Sequence, residues 1–90
     1  MDIGYVKDWR KAYSKELGKN LLRLIDESNT DVQTVASLGN IESKQVYRVI
    51  NAENEPKVAT LLPIAKGLGV HVKILYDFEF DLDKYKSDFN

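Results

Sequence analysis

Two short apolar stripes with a tight break between them constrain the fold of this chain most. The first stripe is Val35, Ala36 and Leu38, and the second is Val46, Val49 and Ile50. The second stripe has the spacing i, i+3, i+4, which places its side chains on one side of an α-helix. Gly39-Asn40 lies between the stripes and is typical of a helix break. The pattern predicts two short helices that meet at a sharp turn.

The rest of the central sequence also predicts helices. The apolar residues with a helical period in the first part of the chain are Leu17, Leu21, Leu24 and Ile25. Ser28-Asn29 follows them and predicts the end of this helix. Asp31 can cap the second helix over residues 32–38. A fourth helix has apolar residues from Val58 to Leu68, ends at Gly67-Leu-Gly69 and holds Pro63 near its first turns. Residues 72–76 are long enough for one or two more turns. Since no β-rich run interrupts residues 15–76, the fold class is predicted to be all-α.

Composition excludes several functional classes. Ninety residues predict one small domain, and the absence of cysteine excludes disulfides and thiolate zinc sites. The single histidine, His71, makes no metal site, and we interpret it as a surface or capping residue. No carboxylate has a nucleophile or base pattern around it, so we expect neither enzyme activity nor a cofactor. No apolar run approaches transmembrane length and no signal-peptide pattern follows Met1, which predicts a cytoplasmic protein without a membrane partner.

The third helix carries a second, polar stripe on the side opposite its apolar one. Lys44, Tyr47, Arg48 and Asn51 have the spacing i, i+3, i+4, i+7, and Ser43 extends this stripe at its upper end. The bland interpretation is a solvated helix face. A short helix, a tight break and a second helix with a polar outer side is also the helix-turn-helix pattern, whose second helix enters the major groove of DNA. Lys and Arg donate to guanine, Ser and Gln adapt to several partners, and Asn reads adenine or holds a phosphate.

Residues 15–76 resemble the Cro/CI-type (XRE-like) helix-turn-helix regulators. The segments that carry the resemblance are LGKNLLRL at 17–24, VA at 35–36, Asn40-Ile41 in place of Gly-Val, PKVATLLPIAKGLGV at 56–70 and KILYDF at 73–78. The resemblance implies a five-helix, lambda-repressor-like domain that binds double-stranded DNA as a homodimer. It also implies roles for individual residues: base contacts for Ser43, Lys44 and Arg48, with Gln45 beside them, and a phosphate contact for Asn51. Tyr47 is expected to reach the DNA backbone or a neighbouring side chain.

Several departures from the family pattern weaken the expected affinity for DNA. The family often begins its second helix with a phosphate-contacting Gln, whereas this chain has Val32 there and Gln33 one step later. The loop after the third helix is often basic, but here it carries Glu53 and Glu55, for which Lys57 only partly compensates. Because phosphate contacts dominate affinity, we expect weak or salt-sensitive binding by a monomer.

Another departure concerns the interior of the domain. An Arg in the family's first helix commonly pairs with a Glu in its third, and here both positions are isoleucine, Ile25 and Ile50. Replacing both charges by apolar groups can be neutral or stabilising. We therefore predict that the two isoleucines are buried against each other.

The two ends are interpreted separately. Residues 1–14 are predicted to be an N-terminal helical extension, because Tyr5, Trp9, Tyr13 and Leu17 recur every four residues. This extension either packs on its own domain or forms a dimer contact. Residues 77–90 form an acidic tail with a net charge of −3, whereas the whole chain has −1. Its DFEFDLD stretch alternates apolar and acidic residues, which favours a short strand that pairs with a second copy or another protein over a frayed terminus.

The leading functional hypothesis is a sequence-specific transcriptional regulator, most simply a repressor, that binds an inverted-repeat operator as a homodimer. The rival hypothesis is a protein-interaction module, such as an antitoxin with weak or no DNA binding and a partner held through the tail. The acidic residues of the 53–55 loop and of the tail favour the rival.

Overall fold

The computed structural model describes residues 8–89, and all regular structure in this part of the chain is helical. Four α-helices are followed by two 3-10 helices. They are α1 (Trp9–Glu27), α2 (Val32–Gly39), α3 (Ser43–Ile50), α4 (Val58–Leu68), the first 3-10 helix (Val72–Tyr76) and the second (Leu82–Phe89). The all-α prediction is confirmed. Four α-helices are observed rather than five, because the predicted fifth helix is a 3-10 turn.

Helix α1 is longer than the other helices and joins the extension to the central sequence. It begins after Asp8, whose side chain accepts a hydrogen bond from the Lys11 backbone N–H at 3.3 Å. It passes residues 14 and 15 without a break and ends at Ser28, whose N–H donates to the Leu24 carbonyl at 3.0 Å. The predicted extension is therefore helical from Trp9 onward, whereas Tyr5 lies outside the described residues.

The turn between α2 and α3 follows from the local sequence. Asp31 caps α2 by accepting from the Thr34 N–H at 2.8 Å, and this hydrogen bond lowers the pKa of the Asp31 carboxyl. At the other end Asn40 adopts the left-handed conformation, with φ 61°. The Ile41 N–H then reaches back to the Ala36 carbonyl at 3.0 Å, the hydrogen bond that marks a Schellman motif. Three residues therefore suffice to join the two helices.

The core lies where α1, α2, α3 and α4 meet. Its buried side chains are Leu17, Leu21, Ile25, Val32, Val35, Ala36, Val46, Val49, Leu61, Ile64, Ala65 and Leu75. Leu38, predicted on the inner side of α2, is instead exposed. The reason is the helical period: Leu38 lies two positions after Ala36, which places it about 200° around the helix from that buried residue.

Helices α2 and α4 approach each other closely. A Cβ atom on Gly67 would meet the backbone of Val35, and one on Gly39 would meet the backbone of Pro63. Pro63 is the sixth residue of α4 and lies in its second turn, near the first turns as predicted, and the helix continues through it. It lies beyond the first four residues, whose N–H groups have no partner within a helix, so the missing donor at this position is not free of cost.

Ile25 and Ile50 are the two isoleucines that we predict to be buried against each other. Ile25 is buried in the core, and Ile50 is half-buried and packs against the core. A direct contact between the two side chains stays a prediction. Apolar residues at both positions fit the core because neither leaves a buried charge without a partner.

The C-terminal segment returns along α1, and the predicted strand is wrong. Residues 77–81 form no regular structure, and the 3-10 helix that begins at Leu82 follows them. Phe78 and Phe80 do lie on one side, as the alternation requires, but both contact the ring of Tyr13 on α1. Burial of Tyr13 raises the pKa of its hydroxyl, and the neighbouring Tyr76 adds to the shift. The aromatic side chains thus found a partner surface within the same chain.

Candidate nucleic-acid interface

Helix α3 has one buried side and one polar side. Val46 is 0% exposed and Val49 is 4% exposed, whereas Tyr47 on the opposite side is 49% exposed. The other members of the polar stripe, Lys44, Arg48 and Asn51, are also exposed, and Ser43 at the start of the helix is half-buried. The structure therefore leaves the polar stripe of α3 open to solvent over its whole length.

Close backbone packing fixes α3 against α1. A Cβ atom placed on Gly18 would lie 2.6 Å from the Val49 carbonyl oxygen and closer still to that of Ile50. Since real Cβ atoms do not approach oxygen so closely, the crossing of the two helices depends on the absence of a side chain at Gly18. The orientation of the polar stripe relative to the core is thus set by backbone contact as well as by Val46 and Val49.

The end of α3 is a strained turn. Ala52 has φ 55°, which places a residue with a Cβ in the left-handed region that glycine usually occupies. The Glu53 N–H donates to the Arg48 carbonyl at 3.0 Å, and the Asn51 N–H donates to the Tyr47 carbonyl at 2.9 Å. These hydrogen bonds close the helix and direct the following loop towards α4.

Charges of both signs surround the polar stripe. The Lys44 Nζ lies 3.6 Å from the Glu42 Oε1, and both side chains are mostly exposed. Such a surface pair contributes little, about 0–1 kcal/mol, so Lys44 is easily released to another partner. Within the part of the chain that the structure describes, no carboxylate lies within 4.0 Å of Arg48 or Lys57. These two cations can therefore meet an anion without first breaking an ion pair.

An open groove of about 220 Å³ separates α3 from the start of α4 and brings three predicted site residues together. Gln45 and Arg48 line it from α3, and Lys57 lines it from the residue that precedes α4. Glu55 lines the same groove. Gln33 is exposed on the first turn of α2 and does not line it. The groove is thus a mixed-charge surface with two cations and one carboxylate.

Sequence reasoning missed two basic residues beside this surface. Arg10 and Lys11 of α1 line a cleft with Asn51 and with Glu53 from the loop after α3. The Arg10 Nε also lies 4.0 Å from the Glu55 Oε1. The basic residues of the extension were visible in the sequence, but only the packing of α1 brings them to this loop.

No family model, curated protein or solved structure matches this chain.

Other kinds of site find little support among the described residues. They contain no group of three or more His, Asp or Glu side chains that could hold a metal ion. The His71 Nδ1 accepts from the Lys73 N–H at 3.1 Å and so caps the first 3-10 helix, as predicted. No helix in residues 8–89 is long and apolar enough to cross a membrane.

Proposed function

We propose that this chain is a sequence-specific DNA-binding regulator of the Cro/CI type. The observation that carries the proposal is the α2–turn–α3 unit, in which a three-residue turn precedes a helix with an open polar stripe. In this proposal the domain is lambda-repressor-like, and the 3-10 helix Val72–Tyr76 takes the place of the fifth helix. An α-helix with its side chains is about 10–12 Å across, which fits the major groove of about 12 Å, and the eight residues of α3 give about two turns to lie in it.

Individual residues have distinct roles in the proposed complex. Ser43, Lys44 and Arg48, with Gln45, read base edges, because Lys and Arg donate to guanine and the two polar residues adapt to several acceptors. Residues at the edges of the interface contact phosphates and so fix the orientation of the domain on the duplex. These contacts do not depend on the base sequence. These positioning residues are Gln33, Asn51 and Lys57, together with Tyr47.

The proposed mechanism is occupancy rather than catalysis. A homodimer in the cytoplasm binds two half-sites of an inverted repeat about 34 Å apart, and the bound dimer blocks or recruits polymerase. Dimerisation compensates for the weak electrostatic term of each domain, since two linked contacts raise the overall affinity far above that of one.

A second candidate function is a protein-interaction module, such as an antitoxin with little DNA binding. It is favoured by the carboxylates around the stripe, where Glu42 pairs with Lys44 and Glu55 lines the groove beside Arg48. Each carboxylate near the path of a phosphate lowers affinity. In this alternative the acidic C-terminal tail contributes to the protein partner's site.

One selection experiment separates the two candidates. Bound sequences are recovered from a random duplex pool at low and at moderate salt. Enrichment of an inverted repeat supports the regulator, and no enrichment at either salt concentration supports the interaction module.

The acidic loop offers a sharper test with Glu53→Lys and Glu55→Lys combined. If the loop lies near the DNA backbone, this variant binds non-specific duplex more tightly and steepens the salt dependence by nearly one unit of slope per new phosphate contact. Asp26→Lys with Glu27→Lys, two exposed residues at the far end of α1, is the charge-matched control. The same slope in both variants would mean that the loop has no special position relative to DNA.

A further inference from the structure

The segment of residues 77–85, called the arm below, packs on α1 through aromatic rings. The ring centroid of Tyr13 lies 4.9 Å from that of Phe78 and 4.9 Å from that of Phe80, and the second contact is edge-to-face. Phe80 also stacks on Tyr85, with centroids 5.5 Å apart and planes 4° from parallel. Both arrangements are favourable ring geometries. The arm is therefore held by a specific cluster centred on Tyr13 and Phe80.

The part of α1 under the arm buries few side chains of its own. Between Asp8 and Glu16 only Ser14 is buried, whereas the buried apolar residues of α1 begin at Leu17. Helix ends with few buried contacts open at low free energy. The ring cluster therefore contributes to the packing that keeps these first turns of α1 in place, together with the ring of Tyr76, which stacks on Tyr13.

The same turns of α1 also meet the loop that follows α3. Tyr13 and Tyr76 line a depression of about 160 Å³ together with Glu55 and Pro56 of that loop. One turn away, the Arg10 Nε lies 4.0 Å from the Glu55 Oε1. The first turns of α1 thus lie between the arm and the loop and contact both.

We propose that the arm is a latch that orders the loop after α3 by fixing the first turns of α1. When the arm is docked on Tyr13, the first turns of α1 stay beside Glu55 and Pro56, the two loop residues that line the depression with Tyr13. When the arm undocks, these turns loosen and the loop loses that support. A protein that captured the side chains of Phe78 and Phe80 would have to undock the arm and would thereby loosen the loop. The importance of the latch for DNA binding rests on the proposed function, but the coupling itself does not.

Amide hydrogen exchange in Phe80→Ala tests the coupling without DNA. The Ala12 N–H, bonded to the Asp8 carbonyl, reports on the first turn of α1, and the Glu53 N–H, bonded to the Arg48 carbonyl, reports on the loop. The Val35 N–H, bonded to the Asp31 carbonyl, reports on the α2 region. We expect exchange to accelerate roughly three- to tenfold at Ala12 and Glu53, the change that the loss of one or two ring pairs gives, and to stay unchanged at Val35.

Leu82→Ala is the matched control, because Leu82 belongs to the arm but is 52% exposed. Acceleration at Ala12 alone would overturn the proposal, since the arm would then hold α1 without affecting the loop. Equal acceleration at Val35 would overturn it as well, because the effect would then be global destabilisation. Equal acceleration of exchange in Phe80→Ala and Leu82→Ala would also overturn the proposal, because the ring contacts would then not account for the effect. If duplex binding is measured on the same variants, a selective loss in Phe80→Ala extends the latch to DNA, while the exchange result stands separately from the proposed function.

Discussion

Asn20→Ala should destabilise the domain strongly, because Asn20 is a buried polar residue that ties α1 to the first 3-10 helix. Its side chain is buried, with the residue only 4% exposed. The Asn20 Nδ2 donates to the Ile74 carbonyl at 3.1 Å and to the Leu75 carbonyl at 2.9 Å, across more than fifty residues of chain. The substitution leaves the Leu75 carbonyl without its donor, whereas the Ile74 carbonyl keeps the Asp77 N–H at 3.2 Å. With about 1–3 kcal/mol for the unsatisfied Leu75 carbonyl and about 0.5–1.5 kcal/mol for the second hydrogen bond lost at Ile74, the expected loss in the free energy of unfolding is about 2–4 kcal/mol.

The assay is urea and thermal unfolding followed by far-UV circular dichroism. For a domain of this size a loss of 1 kcal/mol lowers Tm by about 4–8 °C, so we expect a decrease of at least about 8 °C. Lys15→Ala, an exposed residue on the same helix, is the control and should change the free energy of unfolding by less than about 0.5 kcal/mol. Asn20→Asp should also destabilise the domain, because it places a carboxylate oxygen against two carbonyl oxygens, but Arg23, which donates to the Asn20 Oδ1, offsets part of this cost. A loss below about 0.5 kcal/mol for Asn20→Ala would refute the reasoning, since it would mean that the buried Leu75 carbonyl needs no donor.

Three further predictions concern the interface and its two flanking turns. Arg48→Ala and Lys44→Ala should each weaken binding to the selected duplex by about 1–3 kcal/mol and relax the preference at particular base pairs. A uniform loss of affinity over all sequences would mean that these residues contact phosphates. No loss of affinity would contradict base reading by this helix. Ala52→Gly should raise the free energy of unfolding by about 1 kcal/mol, because φ 55° strains a residue with a Cβ. The urea midpoint should therefore rise, and a lower midpoint would contradict this. The Thr34 N–H lowers the pKa of the Asp31 carboxyl in the folded state. The carboxylate therefore stabilises the folded state above the unfolded pKa of about 3.9, and this stabilisation is lost as the pH falls through the folded value. Asp31→Ala should therefore lower the urea midpoint at pH 7 but change it less near pH 3, and an equal difference at both pH values would speak against the cap.

The short helices around the turn could be predicted from the sequence because their determinants are local. Asp31 caps α2, Asn40 ends it, and Val46 and Val49 determine the buried side of α3, all within nineteen residues of sequence. The buried side also decides which side is left to solvent, so the exposure of Lys44 and Arg48 followed directly. The bounds of α2 agree with the predicted ones to within one residue for the same reason.

Contacts between distant parts of the chain were decided only by the tertiary structure. The alternation at Phe78 and Phe80 predicts that the two rings lie on one side of an extended segment. It does not identify the surface that they contact. That surface proved to be Tyr13 on α1 rather than another strand. In the sequence Asn20 is one polar residue on a helix, and only the structure shows that it donates to the Ile74 and Leu75 carbonyls. The sequence by itself thus determined the helices and their inner sides, because backbone hydrogen bonds and helical periods act over a few residues. Only packing of the whole chain determined which helix the arm covers and which loop Arg10 reaches, because those contacts join residues whose separation no local pattern records.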